Sequence, residues 1–163
     1  MLIILSGLPG SGKSTIATGL ARRLAAVHVR IDTIEQAMRD CGHEVDVAGY
    51  TVGYAITKDN LRLGNSVVSD SVNPIPETRD VWRAIGDGIG VQTFEVEIVC
   101  SDGEEHRQRV EGRDVGIANL VTPDWQEVMQ RDYRPWAREV IVVDTAARPV
   151  EDCVEELLSK LPQ

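Results

Sequence analysis

An α/β fold, with one parallel sheet between layers of helices, is what this sequence predicts, and three observations carry that expectation. Five short apolar runs recur along the 163 residues, each followed by a segment with helical spacing. The first run, Leu2-Ile3-Ile4-Leu5, leads directly into Gly7-Leu8-Pro9-Gly10-Ser11-Gly12-Lys13-Ser14, which fits the Gly-x-x-x-x-Gly-Lys-Ser phosphate-binding pattern without a mismatch. Asp32 and Asp70 stand at the ends of the second and third runs, the end of a strand at which open α/β sheets bind ligands.

The phosphate-binding stretch organises the rest. Ile16, Leu20 and Leu24 after it lie on one helical stripe, so strand, loop and helix come in the order the motif requires. Glycines at 7, 10 and 12 let the backbone turn inward, so that N–H groups and the helix N-terminus point at phosphates. Residues from Gly7 to Thr15 (Gly7, Leu8, Pro9, Gly10, Ser11, Gly12, Lys13, Ser14, Thr15) are therefore the expected ATP-binding set. Lys13 is expected on the β- and γ-phosphates and the Ser14 hydroxyl on Mg²⁺.

Length and charge narrow the function. A chain of this size fits one P-loop domain over residues 1–163 with no room for a large second domain. Lys and Arg total 17 against 26 Asp and Glu, a net charge of −9. That balance disfavours an extended grip on nucleic acid or an anionic membrane and favours a small-molecule partner, while leaving room for a local basic patch. The chain opens on a core strand without a basic, apolar leader, so a cytoplasmic location is expected. Cys41, Cys100 and Cys153 are odd in number and widely spaced, which suggests buried free thiols and neither a disulfide framework nor a zinc site. Oligomeric state leaves no signal in the sequence.

Taken in order, Val27-His28-Val29-Arg30-Ile31 reads as the second strand, ending at Asp32. A helix follows, with Thr33 and Gln36 spaced as a capping box. Asp32 has two compatible roles: capping the helix, worth about 1 kcal/mol, or accepting the proton of an attacking hydroxyl. Residues 39–49 read as a solvated loop on the substrate side, carrying His43, Glu44 and Asp46 at spacings that match no recognised metal pattern. A helix from Tyr50 to about Leu63 is expected to turn Val52, Ala55, Ile56 and Leu63 inward, with Gly53 and Gly64 interrupting. Ser66 to Ser69 form the third strand. Asp70 after it is a candidate to hold Mg²⁺ through water or to orient substrate, and otherwise a turn residue. In the next helix, from Glu77 to Ile85, Arg79 and Arg83 are expected on the solvated face.

Thr93 to Cys100 reads as the fourth strand, followed by a charged helix from Asp102 to Glu111. Arg109 and Arg113 lie about one turn apart near its end, and a lid spanning roughly residues 103–133 is expected to bring them over the γ-phosphate as catalytic and ATP-binding residues. Glu104, Glu105 and Glu111 are alternative salt-bridge partners, and His106 is expected in solvent. Thr122-Pro123-Asp124 opens a helix to about Tyr133, Val140 to Val143 form the last buried strand, and an amphipathic helix from Val150 to Leu161 ends the chain. Asp144, Thr145 and Ala146, between them, are placed to flank an adenine.

With these residues in view, the whole chain resembles the small P-loop kinases related to nucleoside monophosphate kinases, a group that includes gluconate kinase, chloramphenicol phosphotransferase, zeta toxins and the kinase domain of polynucleotide 5′-kinases. The resemblance implies a P-loop NTPase fold: a five-stranded parallel sheet in the order 2-3-1-4-5, helices on both faces, and an arginine-bearing lid. Val29 to Met38 is similar to the segment of chloramphenicol phosphotransferase that carries its general base, and Asp32 falls on that aspartate. Val68 to Pro74, with Arg79 and Trp82 after it, is similar to the third strand and helix of phage-type polynucleotide kinase, and Arg109 and Arg113 match that family's lid pair in spacing. On this basis Asp32, Glu35, Asp70 and Asn73 are the expected substrate contacts.

One departure bears on the acceptor. Polynucleotide 5′-kinases carry an arginine three residues after the catalytic aspartate, where this chain has Glu35. An anion there is expected to repel a phosphorylated acceptor, which favours an uncharged or cationic hydroxyl compound. No guanine-reading Asn-Lys-x-Asp run is present, so the resemblance implies ATP, with Mg²⁺. The expected function is ATP-dependent phosphotransfer to a hydroxyl of a small molecule. A polynucleotide 5′-hydroxyl kinase and a nucleotide-binding ATPase or switch that phosphorylates nothing are the two alternatives.

Overall fold

The computed structural model describes residues 1–112 and 114–162, so the expectation placed on Arg113 lies outside the described residues. Five parallel strands form one sheet: β1 (Leu2–Ser6), β2 (Val27–Arg30), β3 (Val67–Asp70), β4 (Thr93–Val99) and β5 (Ile141–Asp144), ordered β2-β3-β1-β4-β5. This is the order implied by the resemblance. The central strand β1 is buried along its whole length, which is why it reads as an unbroken apolar run. Its side chains alternate between two cores. Ile3 and Leu5 pack with Ile16 and Leu20 of α1 (Lys13–Leu24) and Val154 and Leu157 of the terminal helix (Val150–Lys160); Leu2 and Ile4 pack with Val29, Leu61 and Trp82 on the other face.

Helices α2 (Ile31–Asp40), α3 (Ala48–Arg62) and α4 (Pro76–Ile89) build that second face, and α5 (Gly103–Gly112) and α6 (Trp125–Met129) precede β5; the terminal helix is α7. Pairing in register brings Leu5 and Arg30 level with Asp70, so the carboxyl ends of β1, β2 and β3 converge on one point. No helix among the described residues is long and apolar enough to cross a membrane.

Several local expectations are corrected. Strand β2 passes into α2 without a loop, because Ile31 is drawn into the core; Asp32 is therefore in the first helical turn, and Arg30, in extended conformation, is the N-cap. The Thr33–Gln36 capping box does not form: Gln36 is buried and its amide donates to Asp40 Oδ1.

Helix α3 turns Gly49, Gly53, Thr57 and Leu61 inward and leaves Val52, Ala55, Ile56 and Leu63 exposed. Close approach is the reason. A Cβ on Gly53 would meet Ile31 Cδ1 at 2.4 Å, and one on Gly49 would meet Glu35 Cγ at 2.3 Å.

Arg79 is also reversed. It is 1% exposed, with its guanidinium donating to the carbonyls of Asn73, Pro74, Arg134 and Pro135 and resting 4.2 Å from the Trp136 ring centroid. This clamp, together with Arg134 N–H donating to Pro74, holds the segment after α6 irregular. The helix expected to reach Tyr133 therefore stops at Met129, and its capping box is Asp124 with Glu127, not Thr122. Cys153 is buried as expected, whereas Cys41 is exposed and Cys100 partly so; all three are free. Strand β5 lies at the sheet edge and exposes Val142.

Candidate active site

The loop after β1 is forced open by what lies behind it. Gly7 adopts φ 138°, and a Cβ there would meet the Ile98 carbonyl at 2.2 Å, so only glycine lets the chain leave the strand in this direction. Gly12 is the N-cap of α1 and no side chain caps that helix, which leaves its first N–H groups and dipole directed at a ligand. Loop carbonyls are held instead by side chains: Leu8 accepts from Lys13 Nζ at 3.2 Å, and Ser11 accepts from Thr145 Oγ1 at 2.9 Å.

A cleft of about 1550 Å³ opens above this loop. Pro9, Gly10, Gly12, Lys13, Ser14 and Thr15 line its floor, whereas Gly7, Leu8 and Ser11 shape the loop from outside the lining. Arg109 lines the opposite side, but its guanidinium is bonded to Thr145 Oγ1 and O and to Glu105. Thr145 thus ties together the loop, the end of β5 and α5, while Arg148 and Cys153 continue the wall beyond it.

Another wall of the cleft is formed by Asp32, Glu35 and Arg39 of α2, Arg30 of β2, Asp70 at the end of β3 with Ser71 after it, and Arg131 after α6. Asp70 is almost fully buried. Burial alone would raise its pKa, but the His28 hydrogen bond, at 3.3 Å, the Lys13 charge and the Ser14 hydroxyl outweigh that and hold the carboxylate below its ordinary range. Arg30 Nε lies 3.8 Å from the same carboxylate and its NH1 donates to the Val115 carbonyl, so Asp70 is linked to the segment following α5. Mg²⁺ suits this corner: Asp70 and Ser14 are hard oxygen donors side by side on one wall of the cleft.

Two substrate expectations change. Asn73 is fully buried away from the cleft: its amide donates to Leu5 O, its Oδ1 accepts from Trp82 Nε1, and its N–H donates to the Tyr50 hydroxyl. It shapes the turn after Asp70 and does not line the cleft. Glu35 does line the cleft, but Arg39 pairs with it at 3.1 Å and Arg131 acts on it electrostatically. The Asp32 carboxylate acts on it in the opposite sense, so Glu35 sits among charges of both signs. Burial nonetheless raises its pKa above 4.5, against the opposing pull of Arg39.

Arg30 and Arg131 leave no sign in the sequence because tertiary contact sets their neighbours, whereas Arg39 lies one helical turn from Glu35 and joins the wall because α2 continues to Asp40. His43, Glu44 and Asp46 are exposed and contribute nothing to the cleft lining.

With the geometry in place, comparison with known proteins decides the family. Residues 2–135 match the family described as an AAA domain. The chain belongs to that family. Its fold is that of the small P-loop kinases, as the solved structures show. A candidate kinase from Chloroflexus aurantiacus is 20% identical with TM-score 0.74, over 99% of this chain and 98% of that one. A gluconokinase from Sinorhizobium meliloti 1021 is 20% identical with TM-score 0.64, over 96% and 89%. The Mycobacterium tuberculosis APS kinase in complex with AMPPNP and APS is 16% identical with TM-score 0.66, over 97% and 95%. No curated protein matches the chain. The P-loop kinase fold places its phosphate loop at the carboxyl edge of β1, between β3 and β4, as found here.

Proposed function

We propose that this protein transfers the γ-phosphate of ATP to a hydroxyl of a small molecule. One observation carries the reading: the Lys13 loop and Asp32, which has no side-chain hydrogen bond or ion pair among the described contacts, line a single cleft. The gluconokinase and the APS kinase among the similar structures, the latter with AMPPNP and APS bound, support a phosphoryl donor on the loop and a small acceptor opposite it. Mg²⁺, held by Ser14 and Asp70, would supply charge neutralisation on the donor phosphates. In this scheme Lys13 leaves the Leu8 carbonyl and binds the phosphates, and the loop N–H groups orient them for in-line transfer.

Asp32 accepts the proton of the acceptor hydroxyl as the oxygen attacks phosphorus, and the bond to the bridging oxygen of ADP breaks. Residues 103–133 act as a lid, and Arg109 exchanges its Thr145 and Glu105 contacts for phosphate oxygen; Arg113 is its proposed companion. Because Glu35 sits among charges of both signs, the acceptor panel includes acids as well as neutral hydroxyl compounds.

The test is ATP consumption with Mg²⁺ against sugars, sugar acids, nucleosides, hydroxylated antibiotics and a 5′-hydroxyl oligonucleotide. One small acceptor is expected to stimulate turnover, and Asp32→Asn to keep ATP affinity while losing roughly 10²–10⁴-fold in kcat. Stimulation by the oligonucleotide alone would favour the polynucleotide kinase. Slow ATP hydrolysis indifferent to every acceptor would favour a nucleotide-binding switch.

A further inference from the structure

Phosphotransfer as described leaves one buried imidazole without a task. His106 of α5 is 7% exposed, and its Nε2 lies 2.8 Å from the carbonyl oxygen of Pro9 in the phosphate loop. A carbonyl only accepts, so Nε2 carries the proton and donates it. The ring also meets Trp125 of α6 edge to face, with centroids 5.2 Å apart. His106 therefore touches the loop and both helices that flank the segment after α5.

The next peptide explains what this contact controls. In a trans peptide the C=O of Pro9 and the N–H of Gly10 point to opposite sides. A phosphate cradle needs N–H groups turned toward the anion and carbonyl oxygens turned away from it. Pro9 has no N–H with which to anchor itself, and Gly10, at φ 83°, offers little resistance to rotation of that peptide. The neighbouring carbonyls have their own holders, Lys13 for Leu8 and Thr145 for Ser11. Pro9 has His106. Packing reinforces the arrangement, since a Cβ on Gly10 would meet Val110 Cγ2 at 2.5 Å and His106 Cδ2 at 3.2 Å.

We propose that His106 is a positioning residue of the phosphate loop, holding the Pro9 carbonyl toward α5 and thereby directing the Gly10 N–H at the donor phosphates. It rests on the reading of this loop as the ATP site. The same bond makes the loop and α5 move together, so displacement of α5 is transmitted to the peptide that faces the phosphates.

The experiment compares His106→Leu, which removes the donor, with His106→Gln, whose amide can reach the same carbonyl, in binding ATP, inorganic tripolyphosphate and adenosine. His106→Leu is expected to bind ATP and tripolyphosphate about tenfold more weakly, with adenosine unchanged. His106→Gln is expected to recover most of the loss. Unchanged triphosphate affinity in His106→Leu overturns the proposal, as does a loss shared equally by adenosine or a glutamine variant as weak as the leucine one. ¹⁵N NMR of the wild-type imidazole needs no variant to fold: a protonated, slowly exchanging Nε2 supports the bond, and a bare Nε2 overturns it. Wild-type protein that binds neither ATP nor tripolyphosphate would instead sink the kinase reading, leaving the imidazole spectrum to decide the bond to Pro9.

Discussion

The floor and the charged wall of the cleft face the same space but are held by different means. On the floor, the working groups are backbone N–H donors, and their direction depends on glycines at close approaches and on side chains that restrain the intervening carbonyls. On the wall, the working groups are side chains from β2, α2, the turn after β3 and the segment after α6, balanced against one another as ion pairs. A backbone site tolerates few substitutions because its geometry is the chain itself. A wall of paired charges can be retuned one residue at a time, which under the proposed function suits the part that chooses the acceptor.

The largest effect is expected on the floor. Lys13→Ala removes the only loop side chain able to follow the phosphate charge, and turnover with the identified acceptor should fall by roughly 10³-fold or more. Steady-state kinetics would check it; a variant within tenfold of wild type would mean that the floor does not carry the chemistry. This loss should exceed that of Asp32→Asn if floor and wall differ as described.

A second change separates scaffold from site. Among the described residues Arg79 has no carboxylate partner; it serves four carbonyls behind the wall. Arg79→Met leaves buried acceptors without a donor and is expected to cost about 3 kcal/mol in denaturant unfolding, while ATP affinity in the folded fraction stays unchanged. Loss of ATP affinity at unchanged stability would place Arg79 in the site instead.

The smallest effect concerns the wall's own electrostatics. Burial raises the pKa of Glu35 above 4.5 in the folded protein, so the folded state binds the proton more tightly than the unfolded chain. The associated stability is fully present below pH 4.5 and is lost as pH rises through the raised folded value. Glu35→Gln should flatten the stability profile just above pH 4.5. An identical slope in wild type and variant would show that Arg39 and Arg131 compensate the carboxylate completely.

How legible each half was follows from the same contrast. The phosphate loop was readable because all of its determinants lie within eight consecutive residues, with the strand and helix on either side announced by their own periodicity. Asp70 was readable because it ends a strand at the ligand edge of a parallel sheet, and Asp32 because it follows a strand closely, although it stands in the first turn of α2. Arg79 and His106 were misread. Each lies on a helix with polar neighbours in sequence, and what buries it comes from 55 and 97 residues away. Helix α3 departs from expectation for a related reason: apart from Leu61 its inward stripe is glycine and threonine, which carry no hydrophobic signal, and its valine and isoleucine face outward.

By itself, then, the sequence determined the five strands, the phosphate loop and the carboxylate that ends β3, because local periodicity and a contiguous motif encode them. Only the tertiary structure decided that Asn73 holds a turn, that Arg79 is buried against four carbonyls, and that His106 reaches the loop. Those outcomes depend on which side chains a folded chain brings within hydrogen-bonding distance, and no local spacing records that.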